Sequence, residues 1–193
     1  ISALIERIQS AGLECVLRHT DSSVGIPYFQ CFILEPVDEL PIAISHGTGC
    51  HLDRDIAAVR AITEAAQSRL TYIHGGRDDL IERARFFAQH GRQAEKEATA
   101  TMRLRITDPI GRISYGSIGT QPLHLSHSSS QEVLRRTLKL LTEAGFDQVY
   151  SHELTPPASK LKVVRTIIPR LESFEPSLKR VGARLANAVR AWR

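Results

Sequence analysis

Gly47-Thr-Gly49-Cys-His51-Leu-Asp53, running into Arg54-Asp-Ile-Ala-Ala-Val-Arg60-Ala-Ile-Thr-Glu64-Ala-Ala-Gln67-Ser-Arg69-Leu70, is the stretch that decides how this chain folds. From about Asp53 to Leu70 the residues follow a helical period. At about 100° per residue, Ile56, Val59, Ile62, Thr63, Ala66 and Leu70 gather on one face, the expected core side. Arg60, Glu64 and Gln67, spaced i, i+4, i+7, form a polar stripe beside it. The two glycines read as a turn ahead of the helix that lets backbone approach closely, and a helix N-terminus favours anions. A carboxylate on such a stripe is a hard oxygen ligand of the kind magnesium uses beside nucleotide phosphates. An arginine can pair with phosphate, and an amide can hydrogen-bond to either. The same spacing also suits a simple surface ion pair between Arg60 and Glu64. Spacing leaves both readings open.

Working outward, residues 2–11 read as a helix, with Leu4, Ile5, Ile8 and Leu13 on one side and Gly12 as its stop. Glu14–Leu17 and Tyr28–Leu34 read as neighbouring strands, separated by the turn-rich Thr20–Pro27, and Pro41–Ser45 is a third short apolar run. A second long helix is expected over residues 78–90. Residues 91–130 show little periodicity and are expected to form a long loop or insertion. Ser130 then caps a helix over 131–144 that Gly145 closes. Residues 148–152 and 162–168 read as strands, and about 176–192 as a last helix with Leu178, Val181, Leu185, Ala188, Val189 and Trp192 on one stripe. Strands alternate with helices, so the expected class is α/β or α+β, a mixed sheet flanked by helices.

The whole chain has 193 residues, 42% hydrophobic and 24% charged, a size and composition that suit one soluble domain. No apolar run approaches the roughly 20 residues of a membrane span. The charged, amphipathic start, from Ile1 to Arg7, is unlike a signal peptide. Cys15, Cys31 and Cys50 are scattered, so neither a disulfide framework nor a zinc knuckle is expected, and a reducing cytoplasm is the expected setting. His46, Cys50 and His51 cluster locally, but no fourth ligand follows at finger-like spacing. The net charge of +4 is uneven. From Lys160 onward nine basic residues face two acidic ones, giving +7 there and −3 before it. Aromatic residues among these bases are few, Phe174 and Trp192, too few to form a platform for stacked nucleobases, so a solvated helix face is preferred to nucleic-acid binding.

The ordered block Gly47-x-Gly49-x-His51-x-Asp53, then Arg60-Ala-Ile-Thr-Glu64-Ala-Ala-Gln67-Ser-Arg69, then Gly76-Arg77-Asp78-Asp79, resembles the later motif block of the YcaO family. Two further stretches agree in order. Asp21-Ser-Ser-Val-Gly25-Ile26-Pro27 is similar to the family's turn before a strand. Val163-Val-Arg165-Thr-Ile-Ile-Pro169-Arg-Leu-Glu172 is similar to a later family segment. Together they cover residues 1–175.

The resemblance implies ATP- and Mg2+-dependent activation of a peptide backbone amide by phosphorylation. A Cys, Ser or Thr side chain then attacks to give an azoline, or a sulfur source to give a thioamide. By motif, Glu64 is the candidate magnesium ligand, and Arg60, Gln67 and Arg165 are candidates for nucleotide contacts. His51 is a candidate helix-start hydrogen-bonding residue and Arg77 a partner for Asp78 or Asp79. The implied substrate is a peptide or protein. The Arg77-Asp-Asp form resembles members that work beside a TfuA-like partner.

Two departures qualify these expectations. Residues 1–46 hold nothing like the family's earlier acidic motif, S-E-x-x-E-R, since Glu6, Glu14 and Asp21 lack its spacing. The chain also ends Arg190-Ala-Trp-Arg193, without the proline-rich tail common among azoline-forming members, which leaves azoline formation less secure than thioamidation. The chain is therefore expected to be the C-terminal portion of a larger YcaO-like domain, with half a nucleotide site. The competing expectation is a non-catalytic module of the same fold that binds a peptide or a partner protein.

Overall fold

An antiparallel meander, β1 (Glu14–Thr20), β2 (Tyr28–Leu34) and β3 (Ile44–Cys50), lies at the centre of the first half of the chain, in spatial order β1-β2-β3. Thr20 pairs with Tyr28 at one end and Glu14 with Leu34 at the other; on the far side Tyr28 pairs with Cys50 and Leu34 with Ile44. The alternation of side chains in β2 serves both faces of this sheet. Phe29, Cys31 and Ile33 point to one side and are buried there with Ala57, Ala58, Ala61, Ile62 and Ala65 of α2 (Arg54–His74). Phe32 and Leu34 point to the other, against Ile106 near the end of α4 (Arg92–Thr107). Helix α1 (Ser2–Ser10) adds Leu4, Ile5 and Ile8 to the first core.

The computed structural model describes residues 1–36, 43–75, 78–120, 129–172 and 181–191. The chain divides into two compact units, Ile1–Ser128 and Ser129–Arg193. The first also holds α3 (Asp78–His90). The second holds α5 (Ser130–Glu143), the antiparallel pair β4 (Tyr150–Glu153) and β5 (Val164–Ile167), and α6 (Ala183–Ala191). The fold is a mixture of helices and small antiparallel sheets, as the alternation of elements predicts.

Four local expectations change. Gly47-Thr-Gly49 is not a turn; it is the middle of β3. The reason is steric: Gly47 and Gly49 are alternate residues on the face toward α2. A Cβ at Gly47 would collide with the backbone of Ala61 and Ala65, and one at Gly49 with the backbone of Ala57 and Ala61. The helix therefore lies directly on the strand, backbone to backbone, and its core side is the alanine face. Thr63, Ala66 and Leu70, expected in the core, are exposed, Leu70 at 64%. Residues 92–107 form a regular helix where a loop was expected. Only Thr99 and Ile106 of this helix are buried, so it lacks an apolar stripe, and its Ala, Glu, Lys, Arg and Leu content stabilises it by propensity. The cap of α5 is Ser129, whose hydroxyl accepts from the Glu132 amide at 3.3 Å, one residue ahead of Ser130. The expected stripe positions Leu178 and Trp192 lie outside the described residues.

Candidate functional site

Helix α2 starts with its first amides already occupied. Asp53 Oδ1 accepts from the backbone N–H of Asp55 at 2.7 Å and of Ile56 at 3.2 Å. The Ala57 N–H goes to the Asp53 carbonyl. This N-cap places a carboxylate where an anion would otherwise sit. The end of the helix is closed by Gly75 at φ +69°. The glycines and the helix start thus position the helix on the sheet and do not form a phosphate cradle.

The polar stripe lies beside the outer edge of β3. An edge strand presents unpaired backbone N–H and C=O groups, and two side chains of α2 meet them. Glu64 Oε2 accepts from the Thr48 backbone N–H at 3.0 Å and from the Thr48 hydroxyl at 3.1 Å. Arg60 donates through Nη1 to the Cys50 carbonyl at 3.3 Å. Among the ion pairs of the described residues none joins Arg60 to Glu64, so the i, i+4 spacing does not produce a surface salt bridge here. Arg60, Glu64 and Gln67 are all exposed on the same side of the helix. A cavity of about 610 Å3 lies beside β1, and another of about 390 Å3 lies between α1 and α2; neither is lined by any of the three. The stripe is an open surface in this unit.

Two histidines flank it. His51 accepts the Asp53 N–H on Nδ1 at 3.0 Å, which leaves Nε2 as the protonated nitrogen of the neutral ring. Burial and the Arg60 charge push its pKa below the usual imidazole value, against the pull of Asp53. This is the helix-start hydrogen bond expected of it. His46 stacks on Phe32, centroids 4.7 Å apart, and burial lowers its pKa too, with Glu64 acting in the opposite direction.

A pH effect follows. Both rings bind a proton less readily folded than unfolded, so below the ordinary imidazole pKa of about 6.5 the unfolded chain takes up more protons. Stability from these groups is complete above that pH and declines as pH falls through it. The difference in melting temperature between the wild type and His51→Gln should therefore change below about pH 6.5 and be constant above it. A difference that is flat from pH 5 to 8 would remove His51 from this account.

Arg165 lies in the second unit, on β5, exposed and paired across the strands with His152. Glu172, at the end of the same motif segment, accepts the N–H groups of Arg184 and Leu185 at 2.9 and 3.0 Å and so caps α6; these bonds hold its carboxyl below the usual range. Arg77 lies outside the described residues. Sequence reasoning missed Thr48. The signal for it was its place between two glycines, which becomes legible only when the glycines are recognised as strand residues facing a helix.

A small antiparallel sheet backed at van der Waals contact by an alanine-rich helix, with a carboxylate and a guanidinium bonded to the strand edge, defines a mixed α/β domain. The family model described as YcaO cyclodehydratase, ATP- and Mg2+-binding, matches residues 1–172. The chain belongs to the YcaO family. It is similar to an uncharacterised protein of Methanothermobacter thermautotrophicus, 34% identical over 98% of this chain and 47% of that protein. A protein of Rhizobium leguminosarum bv. trifolii, described as uncharacterised in the tfuA 3′ region, is 32% identical over 98% of this chain and 44% of its own. The chain thus spans about half the length of these relatives. Among solved structures, a heterocyclase in complex with substrate and cofactor shares the fold with a TM-score of 0.62 at 18% identity, over 90% of this chain and 22% of that one.

Proposed function

We propose that this chain carries part of the ATP- and magnesium-binding site of an enzyme that activates peptide backbone amides. The observation that carries the reading is Glu64, fixed through Oε2 to Thr48 while no hydrogen bond reaches Oε1 among the described residues. A hard carboxylate oxygen left open beside Arg60 and Gln67 fits magnesium, which commonly takes one or two carboxylates together with phosphates and water. Bound magnesium and ATP would supply charge neutralisation and the phosphoryl group for an amide oxygen. On this chain, Arg60 and Gln67 would orient phosphate, and Arg165 is proposed as a further nucleotide contact.

The product is an azoline or a thioamide. The tfuA-region relative favours the thioamide, with a TfuA-like protein as partner. The substrate is a peptide or protein, and the chain is part of a larger domain, in line with its share of the relatives' length. The scattered spacing of Cys15, Cys31 and Cys50 supports a cytoplasmic setting. No helix among the described residues is long and apolar enough to cross a membrane.

Calorimetric titration of magnesium-ATP into the chain and into Glu64→Ala tests the site. Saturable binding that the substitution weakens about tenfold or more, about 1.4 kcal/mol, is expected. Equal affinity in the two proteins would take the metal away from this helix. No binding by the folded chain would favour a peptide- or protein-binding module.

A further inference from the structure

We infer that Thr48 is the positioning residue that aims Glu64 at the metal, an inference that rests on the magnesium-nucleotide reading of that carboxylate. Glu64 is exposed on α2, and a free glutamate there would sample several rotamers. Thr48 removes that freedom with two donors on one atom, the backbone N–H and the hydroxyl both reaching Oε2. The second oxygen is left to a ligand. Arg60, the cation that helical spacing brings closest, is turned to the Cys50 carbonyl and does not neutralise the carboxylate. Glu64 is thus oriented by neutral donors.

The packing explains why this residue can do it. Gly47 and Gly49 let α2 rest on β3 backbone to backbone, so a strand residue between them comes within reach of a short acidic side chain on the helix. Thr48 is that residue, and its outward N–H has no strand partner among the described residues, where β3 pairs with β2 alone. The backbone half of the clamp survives any ordinary substitution; the hydroxyl half does not. Partners of this kind set the orientation of metal ligands and often govern metal affinity.

The test separates orientation from folding. ATP binding to the chain is measured by calorimetry with magnesium and with EDTA, and the ratio of the two dissociation constants is the gain due to the metal. Thr48→Val keeps the shape and strand preference of threonine but lacks the hydroxyl. It should shrink the gain by about tenfold while leaving magnesium-free binding unchanged, and Thr48→Ser should restore most of it. If Thr48→Val shifts both constants by one factor, or neither, the positioning role is wrong. Glu64→Gln separates the two levels of the argument. If it abolishes the gain while Thr48→Val leaves it intact, only the role of Thr48 falls. If the gain survives in Glu64→Gln, or a folded chain binds no magnesium-ATP, the metal reading falls and this inference with it.

Discussion

Gly49→Ala should cost the protein about 3 kcal/mol or more, at or beyond the top of the usual range for overpacking. The added methyl carbon would meet the Ala57 carbonyl oxygen and, at 2.7 Å, the Ala61 nitrogen. Both are helix backbone, so no side chain can rotate aside. The strand and helix must separate, and the alanine face of α2 then loses contact with Phe29, Cys31 and Ile33 together. Gly47→Ala meets Ala61, the Glu64 carbonyl carbon at 2.7 Å and Ala65 in the same way. Gly119→Ala is the control, because nothing lies within 4 Å of its new carbon and its φ is not positive. Urea unfolding compares the three. Midpoints for Gly47→Ala and Gly49→Ala that coincide with that of Gly119→Ala would show that helix and strand are not in backbone contact. Because Glu64 and Thr48 meet across this contact, the site depends on it as much as the core does.

Arg18→Met should destabilise the first unit by about 2–3 kcal/mol, most visibly in α4. The Arg18 side chain crosses from β1 to the end of that helix. Its Nη2 donates to the carbonyls of Arg105 at 2.7 Å, Ile106 at 2.6 Å and Asp108 at 3.0 Å, and its Nε to Ile106 at 3.1 Å. The last carbonyls of a helix have no partner within it and carry its negative end, so a guanidinium satisfies both needs at once. Methionine keeps comparable apolar bulk but supplies no donor. Beside these bonds, Ile106 packs on Phe32 and Leu34, and Arg103 donates to the Glu35 carbonyl at 2.6 Å. Hydrogen exchange would register the loss as faster exchange of the α4 amides than of the α2 amides. Unchanged protection in α4 would show that the bonds contribute nothing net.

The sequence alone determined whatever is written in neighbouring residues. Helical period, caps and stop residues mark α1, α2 and α5 and, to within a residue or a few, their ends. The apolar run at Tyr28–Leu34 marks the central strand. The ordered motifs identify the family, and the i, i+4, i+7 spacing places Arg60, Glu64 and Gln67 together, because all three lie on one helix whose geometry is local. The tertiary structure decided what each element touches. Whether Gly47 and Gly49 bend the chain or seat a helix depends on α2 returning over β3. Once they seat it, the buried face of α2 becomes four alanines with Ile62, and Leu70 is left exposed, since close approach rewards small side chains. Helix α4 was invisible for the opposite reason: it is mostly exposed and carries no stripe, and part of its hold on the sheet comes from Arg18, 88 positions from Ile106. Glu64 shows the boundary most clearly. Its helix, its face and its charge are local facts. Its partner, Thr48, is set by the distance between a helix and a strand edge, which no spacing within either segment encodes.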